Sequence, residues 1–138
     1  MEQIVRKSLL RNIKLAELPT VLAGYKGTPL TGIKDSNLPK GFKFVASAQG
    51  ETLRREMQFN DFKEAFRYFN LLTSTFSSLK YYPTVFNVYN RLVFDLATTH
   101  DNKATVTTKD LFAAHILNEI LEHPQEGLKS AADKFNQL

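Results

Sequence analysis

A chain of 138 residues with 43% hydrophobic and 23% charged residues has the size and composition of one globular domain with a buried core. The sequence contains no cysteine, which excludes disulfide bonds and thiolate metal sites. The formal net charge is +4, and much of the excess lies in residues 1–14, where four bases face one acid: Arg6, Lys7, Arg11 and Lys14 against Glu2. Such a segment is typical of a surface or docking helix, of a mitochondrial presequence or of a nucleic-acid-binding arm, with nucleic acid the least favoured of these partners.

The apolar residues occur only in short runs. No run reaches the roughly 18 apolar residues that span a membrane, and no secretory signal is present. We therefore expect a soluble, intracellular protein, mitochondrial or cytoplasmic, that has no membrane span and is not secreted.

The first 40 residues are predicted to form a helix followed by a long loop. Apolar residues recur at helical spacing up to the first proline: Val5, Leu9, Ile13 and Leu18 before Pro19. Residues 19–40 then contain three prolines and three glycines, which rules out regular structure. A loop of this length in a compact domain is usually functional or lies against a partner.

Residues 42–59 are predicted to form a β-hairpin with its turn at Gln49-Gly50. The residues that alternate along its two strands are Phe42, Phe44 and Ala46, then Leu53, Arg55, Met57 and Phe59. A long helix follows, with Asn60 as its N-cap and its end at Tyr82, because a proline at position 83 disfavours helical backbone before it. One apolar stripe recurs along this helix at spacings of three and four: Phe62, Ala65, Phe66, Phe69, Leu72, Phe76 and Leu79.

The last third of the chain is predicted to hold two further strands and a helix. The strands cover residues 85–90 and 92–98, and residues 100–104 form a polar turn. Thr107-x-x-Asp110 has the form of a capping box that begins the helix, and Pro124 and Gly127 end it. A short amphipathic tail follows, marked by Leu128, Ala131, Ala132 and Phe135.

Together these elements predict an α+β fold with the order β-β-α-β-β-α, in which one antiparallel sheet carries helices on one face, with an N-terminal helix and a C-terminal tail helix added. We expect a basic, Pro/Gly-rich extension in residues 1–40, a folded domain in residues 41–123 and the amphipathic tail in residues 124–138.

Several short motifs follow one another in the folded domain. They are Phe59-x-Asp61-Phe62-x-x-Ala65-Phe66, Pro83, Phe86-Asn87-Val88-Tyr89-Asn90, Leu96 with Thr99-His100, and Thr107-x-x-Asp110-x-x-x-Ala114. In these motifs the chain resembles the pterin-4a-carbinolamine dehydratase family, also known as dimerisation cofactors of a homeodomain transcription factor. The family has the same β-β-α-β-β-α order. The resemblance implies that the pocket and its frame are formed by Pro83, Phe86, Asn87, Tyr89 and Asp110.

The proton-transferring residues that the resemblance implies are largely replaced. The family dehydrates a 4a-hydroxytetrahydropterin, and histidine suits both proton donation and proton removal because its pKa lies near the working pH. Where the family has His-His-Pro, this chain has Tyr81-Tyr82-Pro83, with Ser77 at the family's acidic position and Val85 at its tryptophan position. A tyrosine, with an ordinary pKa near 10, is a poor base at neutral pH.

The family's third histidine lies at the end of the following strand. The nearest candidate is His100, but it comes one residue late, so an unbroken alternation places Thr99 at the catalytic position. A bulge near Ala97 would restore His100 to that position. His115 and His123 have no partner histidine at ligand spacing, so we expect no metal site, and we expect no cofactor.

We therefore interpret the chain as a dehydratase-like pseudoenzyme, a structural or adaptor subunit that binds protein partners or forms a homo-oligomer. Two alternatives stay open. One is an active or slow dehydratase that uses Tyr81, Tyr82 and His100. The other is a pterin-binding or transcription-cofactor-like regulator, in which Tyr81 and Tyr82 wall a pocket for a pterin-like ligand instead of simply covering the helix end.

Overall fold

The computed structural model describes residues 38–48, 50–100 and 102–124, which form one curled sheet and two helices. The strands are β1 (Phe42–Ser47), β2 (Gly50–Gln58), β3 (Thr84–Val88), β4 (Arg91–Leu96), β5 (Thr98–His100) and β6 (Lys103–Thr105). The helices are α1 (Phe62–Ser78) and α2 (Thr108–Glu122). The α+β prediction is confirmed, whereas the predicted N-terminal helix and C-terminal tail helix lie outside the described residues.

Strand β2 is the centre of the sheet. It pairs antiparallel with β1 on one edge and with β4 on the other, and β3 pairs antiparallel with β4. A single parallel bridge, Gly50 to Ala104, joins β2 to β6, and β6 pairs antiparallel with β5. The sheet is therefore mixed at this one point. The β5–β6 hairpin occupies residues for which the sequence predicted a polar turn.

One face of the sheet carries the core. The register sets Leu53 opposite Leu96 and Met57 opposite Leu92, so these apolar side chains share a face, and all four are buried. Both helices pack on this face and their buried residues belong to the same cluster. The ring of Phe76 in α1, for example, lies 6.4 Å from that of Phe94 in β4. Each such fully buried side chain contributes about 1.5–3 kcal/mol through burial of apolar surface.

Helix α1 begins and ends at residues that differ from the prediction. Asp61, not Asn60, is the N-cap, because its carboxylate accepts a hydrogen bond from the Glu64 backbone N–H at 2.8 Å. The helix ends at Ser78 and not at Tyr82, because Lys80 adopts a left-handed conformation with φ of 56°. The helix thus ends five residues before Pro83, the proline that was expected to end it.

Helix α2 begins at the predicted capping box. The Thr107 hydroxyl accepts a hydrogen bond from the Lys109 N–H at 3.2 Å, and Asp110 Oδ2 accepts one from the Thr107 N–H at 2.8 Å. His123 is the C-cap, next to the proline that was predicted to end the helix. Among the helices of the described ranges, none is both long enough and apolar enough to cross a membrane.

Candidate functional site

Tyr81, the first of the two tyrosines at the family's histidine positions, lies inside the core. Only 6% of its surface is exposed. Its ring packs at a tilt against Phe76, with the ring centroids 5.6 Å apart. Its hydroxyl donates a hydrogen bond of 2.6 Å to Asp110 Oδ1 on α2. The side chain therefore joins the end of α1 to the start of α2.

Asp110 is the centre of a buried polar group that we call the Asp110 cluster: Tyr81, Thr98, Thr107 and Asp110. The carboxylate has no exposed surface. In addition to the Tyr81 hydroxyl and the Thr107 N–H, it has the Thr98 and Thr107 hydroxyls 3.1 Å from Oδ2. The two threonine hydroxyls also lie 3.2 Å from each other. Each oxygen of the carboxylate thus accepts at least one hydrogen bond, as a buried acid requires.

Burial governs the protonation of this cluster. It raises the pKa of Asp110, while the hydrogen bonds from Tyr81, Thr107 and Thr98 offset part of that effect. Burial also raises the pKa of Tyr81 well above its ordinary value, and the Asp110 carboxylate raises it further by charge and by hydrogen bonding. The Tyr81 phenol therefore stays protonated at neutral pH and directs its proton at Asp110, away from solvent.

The second tyrosine, Tyr82, does not share the buried position of Tyr81. Tyr82 is 75% exposed. In β5, Thr98 points inward to Asp110, and its neighbour Thr99 is exposed. Leu96 and Thr98 are two residues apart and both face inward, on either side of Ala97, where β4 ends and β5 begins. The backbone of His100 pairs with Lys103, and the structure does not describe the His100 side chain.

Apart from Asp110, the predicted frame residues lie in β3 or next to either end of it. Pro83 and Asn87 are half-buried, whereas Phe86 is 51% exposed and Tyr89 is 68% exposed. Tyr89 has a φ of 55°, the left-handed conformation of a tight turn. Asn90, the next residue, links this turn to the end of β2, because its Nδ2 donates to the Phe59 carbonyl oxygen at 3.0 Å. Asn87 Oδ1 is buried and has no hydrogen-bond partner among the described residues.

The structure also shows that part of the apolar stripe of α1 is exposed. The predicted stripe on α1 is buried at Ala65, Leu72 and Phe76, but Phe62 and Phe66 are 46% and 47% exposed. Phe62 and Phe66 lie in the first two turns of α1. The apolar stripe is wider there than the side of the helix that faces the sheet, so these two residues stay exposed. The rings of Phe62 and Phe66 stack at 5.7 Å, and those of Phe66 and Phe69 at 6.2 Å. We call these three residues the aromatic face of α1.

Two other places in the described residues hold polar groups close together. At the end of α2, Glu119, Glu122 and His123 each bring one ligand atom to within 4.8 Å of the others. No metal site was expected there, and acidic groups often lie this close without an ion; Glu119 is buried, whereas Glu122 and His123 are exposed. A shallow cleft of about 310 Å³ between the two hairpins includes Gly50 and Lys103, but it contains none of the family-site positions.

Comparison with known proteins agrees with this geometry. The family model for pterin 4 alpha carbinolamine dehydratase matches residues 34–120, more than half of the chain. Relatives from Burkholderia pseudomallei and Solibacter usitatus, whose assignment as pterin-4-alpha-carbinolamine dehydratases is provisional, are 33% and 40% identical over 73 and 68 residues. These matches cover 53% and 49% of this chain and 70% of each relative.

A solved structure is similar as well. It is a transcriptional coactivator/pterin dehydratase from Brucella melitensis, 31% identical, with a TM-score of 0.50. The match covers 59% of this chain and 82% of that one. Fold order, family match and relatives agree, and the chain belongs to the pterin-4a-carbinolamine dehydratase family.

Proposed function

We propose that this chain is a non-catalytic member of its family that serves as a protein-binding adaptor subunit. The observation that carries the proposal is the hydrogen bond between Tyr81 and Asp110. At the first histidine position of the family, the side chain is a structural part of the core. At the second, Tyr82 extends into solvent.

The chemistry of the reaction supports this proposal. Dehydration of a 4a-hydroxytetrahydropterin requires one group to protonate the leaving hydroxyl and another to remove a proton from a ring nitrogen. Loss of general acid–base assistance costs about 10²–10⁴-fold in rate for each group. Tyr81 cannot serve as the base, because its pKa is raised and its proton is held by Asp110. The threonine at position 99 cannot replace an imidazole.

The aromatic face of α1 is the surface that we assign to a protein partner. Phe62 and Phe66 expose nearly half of their surface, and exposed aromatic side chains close together are typical of interaction sites. Lys63 and Arg67, both exposed, lie beside them. A partner helix with apolar residues along one side and acids next to them would match this face. The coactivator role of the Brucella melitensis relative is consistent with protein binding.

The catalytic half of the proposal is tested by a dehydration assay on the purified chain with a 4a-hydroxytetrahydropterin. We expect the uncatalysed rate. A Tyr81→His/Tyr82→His variant measures whether the scaffold can be returned to activity, and His100→Ala serves as the matched control. If the native chain accelerates the reaction and His100→Ala removes the acceleration, the chain is an enzyme and the proposal fails.

The binding half is tested by comparing the proteins that co-purify with the native chain and with Phe62→Ser/Phe66→Ser. Tyr82→Ser/Tyr89→Ser is the control, because it removes two exposed aromatic side chains elsewhere on the surface. We expect the complex to be lost in the first variant only. A complex that survives Phe62→Ser/Phe66→Ser unchanged would remove α1 from the interface.

A further inference from the structure

Strand β3 is an edge of the sheet. It pairs antiparallel with β4, and no strand of the described ranges pairs with its other side. The free side of an edge strand presents backbone N–H and C=O groups with which another strand can pair, and natural edge strands usually prevent this with lysine, proline or a bulge. Strand β3 has no charged residue, no proline and no break in its register with β4. It is therefore open to pairing with a strand of another chain.

The side of β3 that points away from the helices carries exposed, uncharged side chains. Successive side chains of an extended chain point to opposite sides, and Val85 packs against the core on the side of the helices. The alternate residues are exposed instead, and they include Tyr82, at the family's second histidine position. Tyr89, in the turn after the strand, is exposed as well. We call these residues the β3 surface: Tyr82, Thr84, Phe86, Val88 and Tyr89.

We propose that β3 pairs antiparallel with β3 of a second copy of this chain, so that two sheets join across a two-fold axis. All five residues of the strand overlap only when Phe86 lies opposite Phe86 of the second copy, and Thr84 then lies opposite Val88. Each of these pairs brings uncharged side chains together on the same side of the joined sheet, where aromatic and β-branched residues are favourable. The proposal concerns association of the chain with itself and does not depend on whether the protein is a catalyst.

The chemistry of the β3 surface favours a second copy over a different partner. A charged partner segment would need opposite charges to meet, and residues 82–90 contain no charged residue. An uncharged, aromatic surface is best matched by another of the same kind, which the chain itself provides. An antiparallel pair of identical strands is also self-complementary, as a two-fold interface requires.

The size of the β3 surface also fits a dimer. Tyr82, Phe86 and Tyr89 expose 75%, 51% and 68% of their surface. At about 150–250 Å² for each aromatic side chain, these fractions amount to roughly 300–480 Å². A two-fold interface uses the surface twice, so the aromatic side chains alone supply roughly 600–960 Å². Val88, Thr84 and the paired backbone bring the total to about the 1,000 Å² that a specific interface requires.

The dimer does not cover the aromatic face of α1. Helix α1 packs on one side of the sheet, and the β3 surface points to the other side. Each copy would therefore keep its own surface for the partner assigned above. Tyr82 gains a role in this arrangement, because a position that transfers protons in the family becomes part of an association surface, and tyrosine is enriched at interfaces.

Sedimentation equilibrium on the full-length chain tests the proposal. We expect the native chain to be a dimer or a multiple of one. Phe86→Asp/Val88→Asp should have half the native mass, because like charges then lie opposite each other at the two-fold axis. Asn70→Asp/Ser74→Asp is the control, since it adds the same two charges at exposed positions of α1 and should leave the mass unchanged. A monomeric native chain overturns the proposal, and so does a β3 variant that keeps the native mass.

Cysteine cross-linking tests the register with substitutions that add no charge. The sequence has no cysteine, so a single introduced cysteine can form a disulfide only with the same residue of another copy. Directly opposite residues of an antiparallel pair have Cα atoms about 4.5–5.5 Å apart, which is within the range of a disulfide. Phe86→Cys should therefore form a covalent dimer on mild oxidation.

Thr84→Cys is the matched control, because it lies on the same side of the strand. Its two copies would be about 13 Å apart at about 3.3 Å per residue, beyond the reach of a disulfide. Mixed with Val88→Cys, which lies opposite it, Thr84→Cys should form a covalent dimer of the two variants. The proposal fails if Phe86→Cys stays monomeric, or if Thr84→Cys alone cross-links as fast as Phe86→Cys.

Discussion

Replacing Tyr81 by phenylalanine tests the structural role of the Asp110 cluster most directly. The variant keeps the ring that packs on Phe76 and removes only the hydroxyl that donates to Asp110 at 2.6 Å. A hydrogen bond to a charged group contributes about 1.5–3 kcal/mol to stability. Asp110 keeps its other donors, the Thr107 N–H and the two threonine hydroxyls. We therefore expect the free energy of unfolding to fall by about 1.5–3 kcal/mol.

The assay is urea denaturation followed by far-ultraviolet circular dichroism, with the slope m compared between the proteins. An unchanged m shows that the loss lies in stability and not in the compactness of either state. Tyr82→Phe is the matched control, since its side chain is 75% exposed and its substitution should change stability by less than about 0.5 kcal/mol. If Tyr81→Phe is as stable as Tyr82→Phe, the hydroxyl is not held by Asp110 and our account of the site is wrong.

Two further predictions concern pH and the sheet. The pKa of Tyr81 is raised in the folded state, so above pH 10 the tyrosine ionises in the unfolded chain before it does in the folded one. Its contribution to stability is therefore complete below pH 10, and above that pH it should decline by up to about 1.4 kcal/mol per pH unit. The stability difference between the native chain and Tyr81→Phe should therefore shrink between pH 10 and 11.5 in urea titrations, and a constant difference would show that Tyr81 ionises normally. In Gly50→Ala, the new Cβ would lie 2.1 Å from the Ala104 carbonyl oxygen at a φ of +126°, so we expect a loss of about 2 kcal/mol or more in thermal denaturation. Ala48→Gly is the control, and a fully stable Gly50→Ala would mean that the bridge between β2 and β6 is dispensable.

The sequence predicted the fold well where local pattern and packing agree. Alternation along β2 and β4 identified the residues that face the helices, and the Thr107-x-x-Asp110 pattern identified the start of α2. The N-cap of α1 was misplaced by one residue because Asn60 and Asp61 are both good caps. The choice between them depends on which side chain reaches the Glu64 N–H. The β5–β6 hairpin was missed because three-residue strands give too short a pattern to identify.

The site was harder to predict because its contacts join distant parts of the chain. Tyr81 and Asp110 are 29 residues apart, and no periodicity connects them. The sequence could show that the histidines of the family were replaced, but not that Tyr81 turns inward while Tyr82 turns outward. The inward position of Thr98 was accessible in principle, since it lies two residues after the buried Leu96 and side chains of extended backbone alternate. The exposure of Phe62 and Phe66 could not be predicted from the sequence, because a wide apolar stripe does not show which of its sides faces the sheet.

The central position of β2 also has a consequence for synthesis of the protein. Its partner β1 precedes it by a tight turn, but its other partner ends at Leu96, about 38 residues after β2 ends at Gln58. At about 5–20 residues per second, a ribosome needs roughly 2–8 s to add that stretch. Throughout that time Leu53 and Met57 have no strand beside them on this edge. The β2 edge is therefore the part of the nascent chain that most needs protection from aggregation.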